Sequence, residues 1–421
     1  MSSGIQEQLE KMPVAGRSAW REVAADLLHY AGGAALIRAI SQRHVFAPQP
    51  GATSTGGAKK WQRAEGLRFA ILCYHRIGTG GIPLFSDLPP AVFEAQVKFL
   101  QRHYRIVSLS ALCDEIEQQS HGDQHEGQHD GQAVAITFDD GYKDLYFEAL
   151  PILKKYRVPA TVFLPVASIE SNEPLWYDRI FLLFTVFPGD RIQVDCDRPR
   201  NFALPNQATR IAAAAEVIGW LRTLPEDRRK NECERLESKA ELPKDMLKNR
   251  MLTWDQIHEM RAAAVEFGAH TMTHPVVSRL TQEQLEHEIV DSKHVLEARI
   301  NERVQHFAFP FGKAADCGSA AFSVISKAGF RSASTTEEGV NGPGSNLLAL
   351  NRVSLGEERH LPMFALKMAQ LFFTSAVTAP NVAMSKQVGV AASGENSNQP
   401  SVENSYVAHA SQSGSAPASQ Q

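Results

Sequence analysis

The chain has 421 residues, 43% of them apolar and 21% charged, with a formal net charge of -4. That balance suits a globular protein with room for one large α/β domain or two ordinary ones. It excludes several classes: there is no basic excess to attract nucleic acid, no run of about eighteen apolar residues to span a membrane, and no CxxC spacing among the five cysteines.

Scattered thiols point away from a disulfide framework and toward a reducing compartment. The opening residues, MSSGIQEQLEKMPVAGR, lack the apolar centre of a secretory signal. The expected location is therefore cytoplasmic, with peripheral membrane association as an option. Residues 1–47 read as a helical segment, amphipathic over 24–40, and 48–66 as a linker rich in Gly, Pro, Ser and Thr.

The main domain is expected over 67–376. Its first strand spans 69–74 and is closed by His75. Helices are predicted over 93–103 and 109–117. The polar loop 121–132 that follows contains His125-Glu126-Gly127-Gln128-His129, in form a zinc-peptidase motif. That chemistry needs both imidazoles on one helical face, and glycines within and after the motif favour a solvated loop instead.

Next comes Ala133-Val134-Ala135-Ile136-Thr137-Phe138-Asp139-Asp140-Gly141, a strand buried on both faces that ends in two carboxylates and a turn. Buried carboxylates need a cation or a proton to compensate them. A helix over 144–156 and a strand over 160–165 complete a βαβ unit, which implies a parallel sheet. Residues 168–250 break that rhythm and read as a helical insertion, with aromatics at Trp176, Tyr177, Phe181, Phe184 and Phe187. It resumes with a capping box at 253–256, a strand over 265–269 ending in His270, and a helix over 281–300. Strand 306–309, the turn Pro310-Phe311-Gly312, helix 320–328 and strands 331–335 and 350–355 follow. Residues 377–421 have little to bury and are expected to be disordered.

In a parallel α/β barrel the strand ends converge on one face, and here they carry His75, Asp139, Asp140, His270 and the 310–312 turn. Within His270-Thr271-Met272-Thr273-His274-Pro275, two imidazoles three residues apart can reach one ion from one side. Two histidines and one carboxylate suit zinc or another divalent first-row metal and leave positions open for water and substrate. The second carboxylate is then free to act as a base.

The 137–141, 270–275 and 307–312 stretches, with 71–76 at the start, resemble the NodB-type polysaccharide deacetylases, a carbohydrate esterase family. The resemblance covers roughly 67–355. It implies a distorted, incomplete (β/α) TIM-like barrel and metal-dependent removal of N-acetyl groups from an amino-sugar-containing glycan. It also implies Asp139 as general base, Asp140, His270 and His274 as ligands of a divalent metal (Zn2+ foremost, Co2+ or Mn2+ as options), and an oxyanion donor in the backbone N–H near Phe311. Partners would be an N-acetylated glycan and no nucleic acid; oligomeric state is left open.

Two departures stand out. Many members have an arginine where Ala308 stands, so the partner that orients Asp139 is unidentified. Many also have a histidine near the last strand to protonate the leaving amine, and the stretch Leu350-Asn351-Arg352-Val353 has none. Protonated Asp139 is then the expected donor, with His75 as the second candidate. Two rival functions are a carbohydrate-binding protein without turnover and a zinc peptidase using His125 and His129.

Overall fold

The structure is a computed structural model in which residues 68–78, 87–120, 132–240, 242, 247, 250–355 and 358–374 are described. The 1–47 segment, the linker, the tail after 374 and the loop with His125 and His129 lie outside these residues.

Eight strands form one parallel sheet: β1 (Phe69–Tyr74), β2 (Arg105–Ile106), β3 (Ala133–Phe138), β4 (Ala160–Leu164), β7 (Val265–Ala269), β8 (His306–Ala308), β9 (Ser332–Ser334) and β10 (Val353–Ser354). The order is β10-β1-β3-β4-β7-β8-β9, with β2 paired to the first residues of β3. Parallel strands covered on both faces must be apolar throughout, and every residue of β1, β3 and β4 is buried. Side chains alternate along them. Phe69, Ile71, Ala133 and Ala135 point into the curl of the sheet, where Leu109, Leu112 and Ile116 of the helix Leu109–Ser120 meet them. Their neighbours Leu72, Tyr74, Ile136 and Phe138 face the outer helices.

The two edges of the sheet approach each other. Leu350, just before β10, bridges to Ser334 of β9, and its N–H donates to the Ala333 carbonyl at 2.9 Å. The result is a distorted, incomplete barrel, as the family resemblance implies. Among the described residues no helix is long and apolar enough to cross a membrane, and all five cysteines are free thiols.

Several elements differ from the sequence reading. The 144–156 helix opens with a π-turn, Leu145–Ala149, before the α-helix Leu150–Tyr156. Pro151 has no N–H to donate, and the N–H of Leu150 reaches back five residues to the Leu145 carbonyl. A second π-turn, His287–Asp291, divides the 281–300 helix into Gln282–Glu286 and Ser292–Ile300. The segment between β4 and β7 is mainly helical, with Trp176–Val186, Gln207–Leu221 and Glu226–Glu237. It also holds an antiparallel hairpin of β5 (Arg191–Asp195) and β6 (Pro199–Ala203), whose Ile192 and Val194 alternate inward. β9 and β10 are shorter than expected, and a further helix, Leu361–Thr374, packs Phe364 and Phe372 on Phe99 and Tyr104.

Candidate active site

Register places the chemical residues together. The N–H of Asp139 extends the β1–β3 ladder to the Tyr74 carbonyl at 2.9 Å, and that of His270 extends β4–β7 to the Leu164 carbonyl at 2.9 Å. His75, Asp139 and His270 therefore each stand one residue beyond a strand end. The chain then breaks from extended geometry at each turn. Asp140, Thr271, His274 and Phe311 have φ of 72°, 67°, 59° and 60°. Non-glycine residues in this region carry local strain, and such strain concentrates at functional sites. Gly141 and Gly312 allow the tight turns: a Cβ on Gly141 would lie 2.7 Å from Leu164, and one on Gly312 would lie 2.8 Å from the Thr336 nitrogen.

Asp139 and Asp140 are both buried but differently surrounded. The Arg352 guanidinium donates to both oxygens of Asp139, at 2.7 and 2.8 Å, and its Nε donates to the Thr335 carbonyl at 2.9 Å. Arg352 is fully buried, and this two-pronged geometry is the strongest form of arginine–carboxylate pairing. The Cys73 thiol donates to Asp139 Oδ2 at 3.4 Å. Burial alone would raise the Asp139 pKa, but Arg352 and then His270 outweigh it, so the carboxyl stays ionised, below its usual range.

Asp140 has one oxygen satisfied and one not. The Tyr177 hydroxyl donates to Oδ2 at 2.9 Å, whereas Oδ1 is buried without a hydrogen-bond partner. Oδ1 lies 3.3 Å from His274 Nε2 and 3.6 Å from His270 Nε2. The His270 Nδ1–H donates to the Ala308 carbonyl at 2.7 Å, which fixes the tautomer and leaves the Nε2 lone pair facing Asp140. Burial, reinforced by the neighbouring His274, pushes the His270 pKa down to about 4 despite the nearby carboxylates, so the ring is neutral at pH 7. His274 Nδ1 has no partner. Its ring is held by edge contacts with Tyr177 at 5.1 Å, Phe311 at 5.0 Å and His270 at 4.8 Å.

The 271–274 loop is held from behind. Glu288, on the second π-turn and buried, accepts from the N–H groups of Met272 and Thr273 at 2.9 and 2.8 Å and from the Thr273 hydroxyl at 2.6 Å. Trp176 Nε1 donates to the His274 carbonyl at 3.0 Å.

These features fit a divalent cation. Ligand atoms of Asp140, His270 and His274 lie within 4.8 Å of one another, all three residues are buried, and an orphaned carboxylate oxygen faces two imidazole nitrogens. Leaving such an oxygen unpaired is costly without a cation. His75 is half-buried, and its ring, the Cys73 sulfur and an Asp139 oxygen also lie within 4.8 Å of one another. The Phe311 carbonyl accepts from the Thr336 hydroxyl at 2.6 Å, and the Arg222 guanidinium lies 4.0 Å over the Phe311 ring.

The fold thus gathers six of the sequence-selected residues: His75, Asp139, Asp140, His270, His274 and Phe311. Residues His125 and His129 lie outside the described ones. Arg352, Tyr177 and Glu288 were not singled out for the site. Arg352 left one signal, a lone cation inside the strand expected over 350–355.

A carboxylate–histidine–histidine donor set at the strand ends of a curled parallel α/β sheet defines the class, and the comparisons narrow it. Residues 126–333 match the family model described as polysaccharide deacetylase. YxkH of Bacillus subtilis (strain 168), named for an inferred polysaccharide deacetylase activity, is 22% identical over 70% of this chain and 74% of its own. Among solved structures, the Streptococcus pyogenes deacetylase PplD in complex with acetate is 18% identical, with a TM-score of 0.47, over 72% of this chain and 98% of its own. IcaB from Ammonifex degensii is also 18% identical with a TM-score of 0.47, over 73% and 97%. The chain thus carries a polysaccharide deacetylase domain match over residues 126–333. His75 and Arg352 lie outside the segment matched to the family model.

Proposed function

We propose that the chain is a hydrolase that uses a divalent metal, Zn2+ foremost with Co2+ or Mn2+ as options, to remove N-acetyl groups from an amino-sugar-containing glycan. The observation that carries this reading is the contrast between the two aspartates. Asp139 is held ionised by Arg352, while Asp140 presents a bare oxygen beside His270 and His274. In this reading Asp140, His270 and His274 hold the ion, which when bound would supply Lewis acidity to the acetamide carbonyl and make the attacking water more acidic.

The chain's own residues do the rest. Asp139 accepts the water proton as the oxygen adds to the acyl carbon, with Arg352 keeping the carboxylate ionised and fixed in direction. The Phe311 N–H serves the developing oxyanion. The carbon–nitrogen bond then breaks, and the nitrogen takes a proton from Asp139 or from His75, giving acetate and a free amine.

Asp139→Asn and Asp140→Asn separate the roles, with metal content read by elemental analysis and acetate release read on N-acetylglucosamine oligomers. Asp139→Asn should keep the metal and lose about two to four orders of magnitude in turnover, whereas Asp140→Asn should lose most of the metal. The reverse pattern would exchange the two roles.

A further inference from the structure

The segment between β4 and β7 reaches the site through a hydroxyl. Tyr177, second residue of the helix Trp176–Val186, is fully buried and donates its only hydrogen to Asp140 Oδ2 at 2.9 Å. Tyr142, two residues beyond Asp140, places its hydroxyl 3.5 Å from that of Tyr177 and donates to Asp178 Oδ2 at 2.8 Å. Two consecutive residues of one helix therefore fasten both ends of the turn 140–142. The far end of the same segment fastens its backbone. The Leu252 N–H donates to the Gly141 carbonyl at 2.9 Å, and the Lys143 N–H donates to the Arg250 carbonyl at 2.9 Å. Asp140 and Gly141 both have positive φ, at 72° and 68°. A turn of that kind needs surrounding structure to hold it in place.

We propose that Tyr177 is a positioning residue for the metal: its hydroxyl occupies Oδ2, so that Asp140 offers Oδ1 alone toward His270 and His274. This rests on the reading of Asp140 as a metal ligand. A carboxylate free of that hydroxyl could turn and bind an ion through both oxygens, changing the geometry and the number of positions left for water and substrate. The segment between β4 and β7 then forms part of the metal site itself. Partners of this kind commonly account for 10–100-fold in metal affinity.

The test uses the full chain, stripped of metal by a chelator and titrated with Co2+ while the visible spectrum is followed. Tyr177→Phe keeps the ring contacts with Trp176, His274 and Phe311. It should bind Co2+ about 10–100-fold more weakly, with an altered spectrum, while the metal-free melting temperature moves by only a few degrees. An unchanged affinity and spectrum in Tyr177→Phe, alongside loss of Co2+ in His274→Ala, would reduce Tyr177 to a packing residue and leave the ligand assignment standing. Retention of Co2+ by His274→Ala would overturn the ligand assignment and this proposal together. A crystal structure of the Co2+-loaded parent decides the point even if Tyr177→Phe does not fold. One Asp140 oxygen on the ion, with Tyr177 on the other, supports the proposal, and two oxygens on the ion overturn it.

Discussion

Two buried histidines, His270 and His306, sit at opposite ends of the barrel and share an electrostatic setting. Each is almost fully buried, and in each burial pushes the pKa down to about 4. They differ in what their nitrogens meet. His306, at the start of β8, contacts the Ser332 hydroxyl through Nδ1 and the Ser110 hydroxyl through Nε2, both at 2.8 Å. His270 is fastened through Nδ1 to Ala308, the last residue of the same strand, and turns Nε2 toward carboxylates 3.6 and 3.9 Å away. One ring is closed on both sides by protein, and the other is closed on one side only. A depressed pKa is thus a poor guide to function by itself, because burial produces it at both ends. The informative quantity is the unfilled hydrogen-bonding capacity, which at the His270 end includes Asp140 Oδ1 and His274 Nδ1.

The largest effect should come from removing the cation at the open end. Arg352→Met leaves Asp139 buried with no guanidinium, and breaking such a pair from one side costs about 3–5 kcal/mol. Urea unfolding at pH 7.5 measures this, and a loss below about 1 kcal/mol would show that Asp139 does not depend on Arg352 for its charge.

A smaller effect sharpens the closed end. His306 has a folded pKa near 4 and an ordinary one of 6.5, so between those values the unfolded chain binds the additional proton. Its contribution is complete above pH 6.5 and is lost as pH falls toward 4, by at most about 1.36 kcal/mol per pH unit. His306→Gln should therefore flatten the acid side of the stability curve of metal-free protein by up to one proton. An unchanged slope in urea unfolding between pH 6.5 and 4.5 would assign the acid sensitivity to other groups.

The smallest effect is expected from the remaining histidine pair, His125 and His129. Exposed polar loops tolerate shortening when few buried contacts depend on them. Replacing residues 122–130 with a short Gly/Ser linker should leave metal content and acetate release within a few-fold of the parent. Loss of the stoichiometric metal, with His270 and His274 intact, would take the ion away from that pair.

Much of the site was legible because strand ends mark themselves. An apolar run that stops at His75, at Asp139-Asp140 or at His270 puts polar chemistry where a parallel sheet presents its carboxyl ends, and the fold follows from the same runs. Arg352 was harder to read. Arginine is ordinarily solvated, and its partner lies 213 residues away, so no local pattern joins them. The aromatic richness of 176–187 announced a packed helix, but whether a tyrosine hydroxyl meets a carboxylate or water depends on tertiary placement. Pro151 hinted at the first π-turn. The second, which delivers Glu288, has no comparable breaker, and its extra residue shows only in the folded register. The hairpin β5–β6 and the helix Leu361–Thr374 did carry their periods, Ile192 with Val194 in one and Phe364, Met368 and Leu371 in the other. A strand-by-strand search for the barrel passes over both.

The span between Asp139 and Arg352 also bears on how the molecule is made. A ribosome that has delivered the chain as far as β9 has already supplied His75, both aspartates, both histidines and Phe311. At that moment Asp139 has no guanidinium to face, and β1 lacks the neighbour that pairs Leu72 with Val353. Docking β10 supplies the missing strand and the missing charge in one step. A nascent polypeptide therefore cannot settle this candidate site early and wait for the remainder; the site is completed only when nearly the whole barrel has been translated.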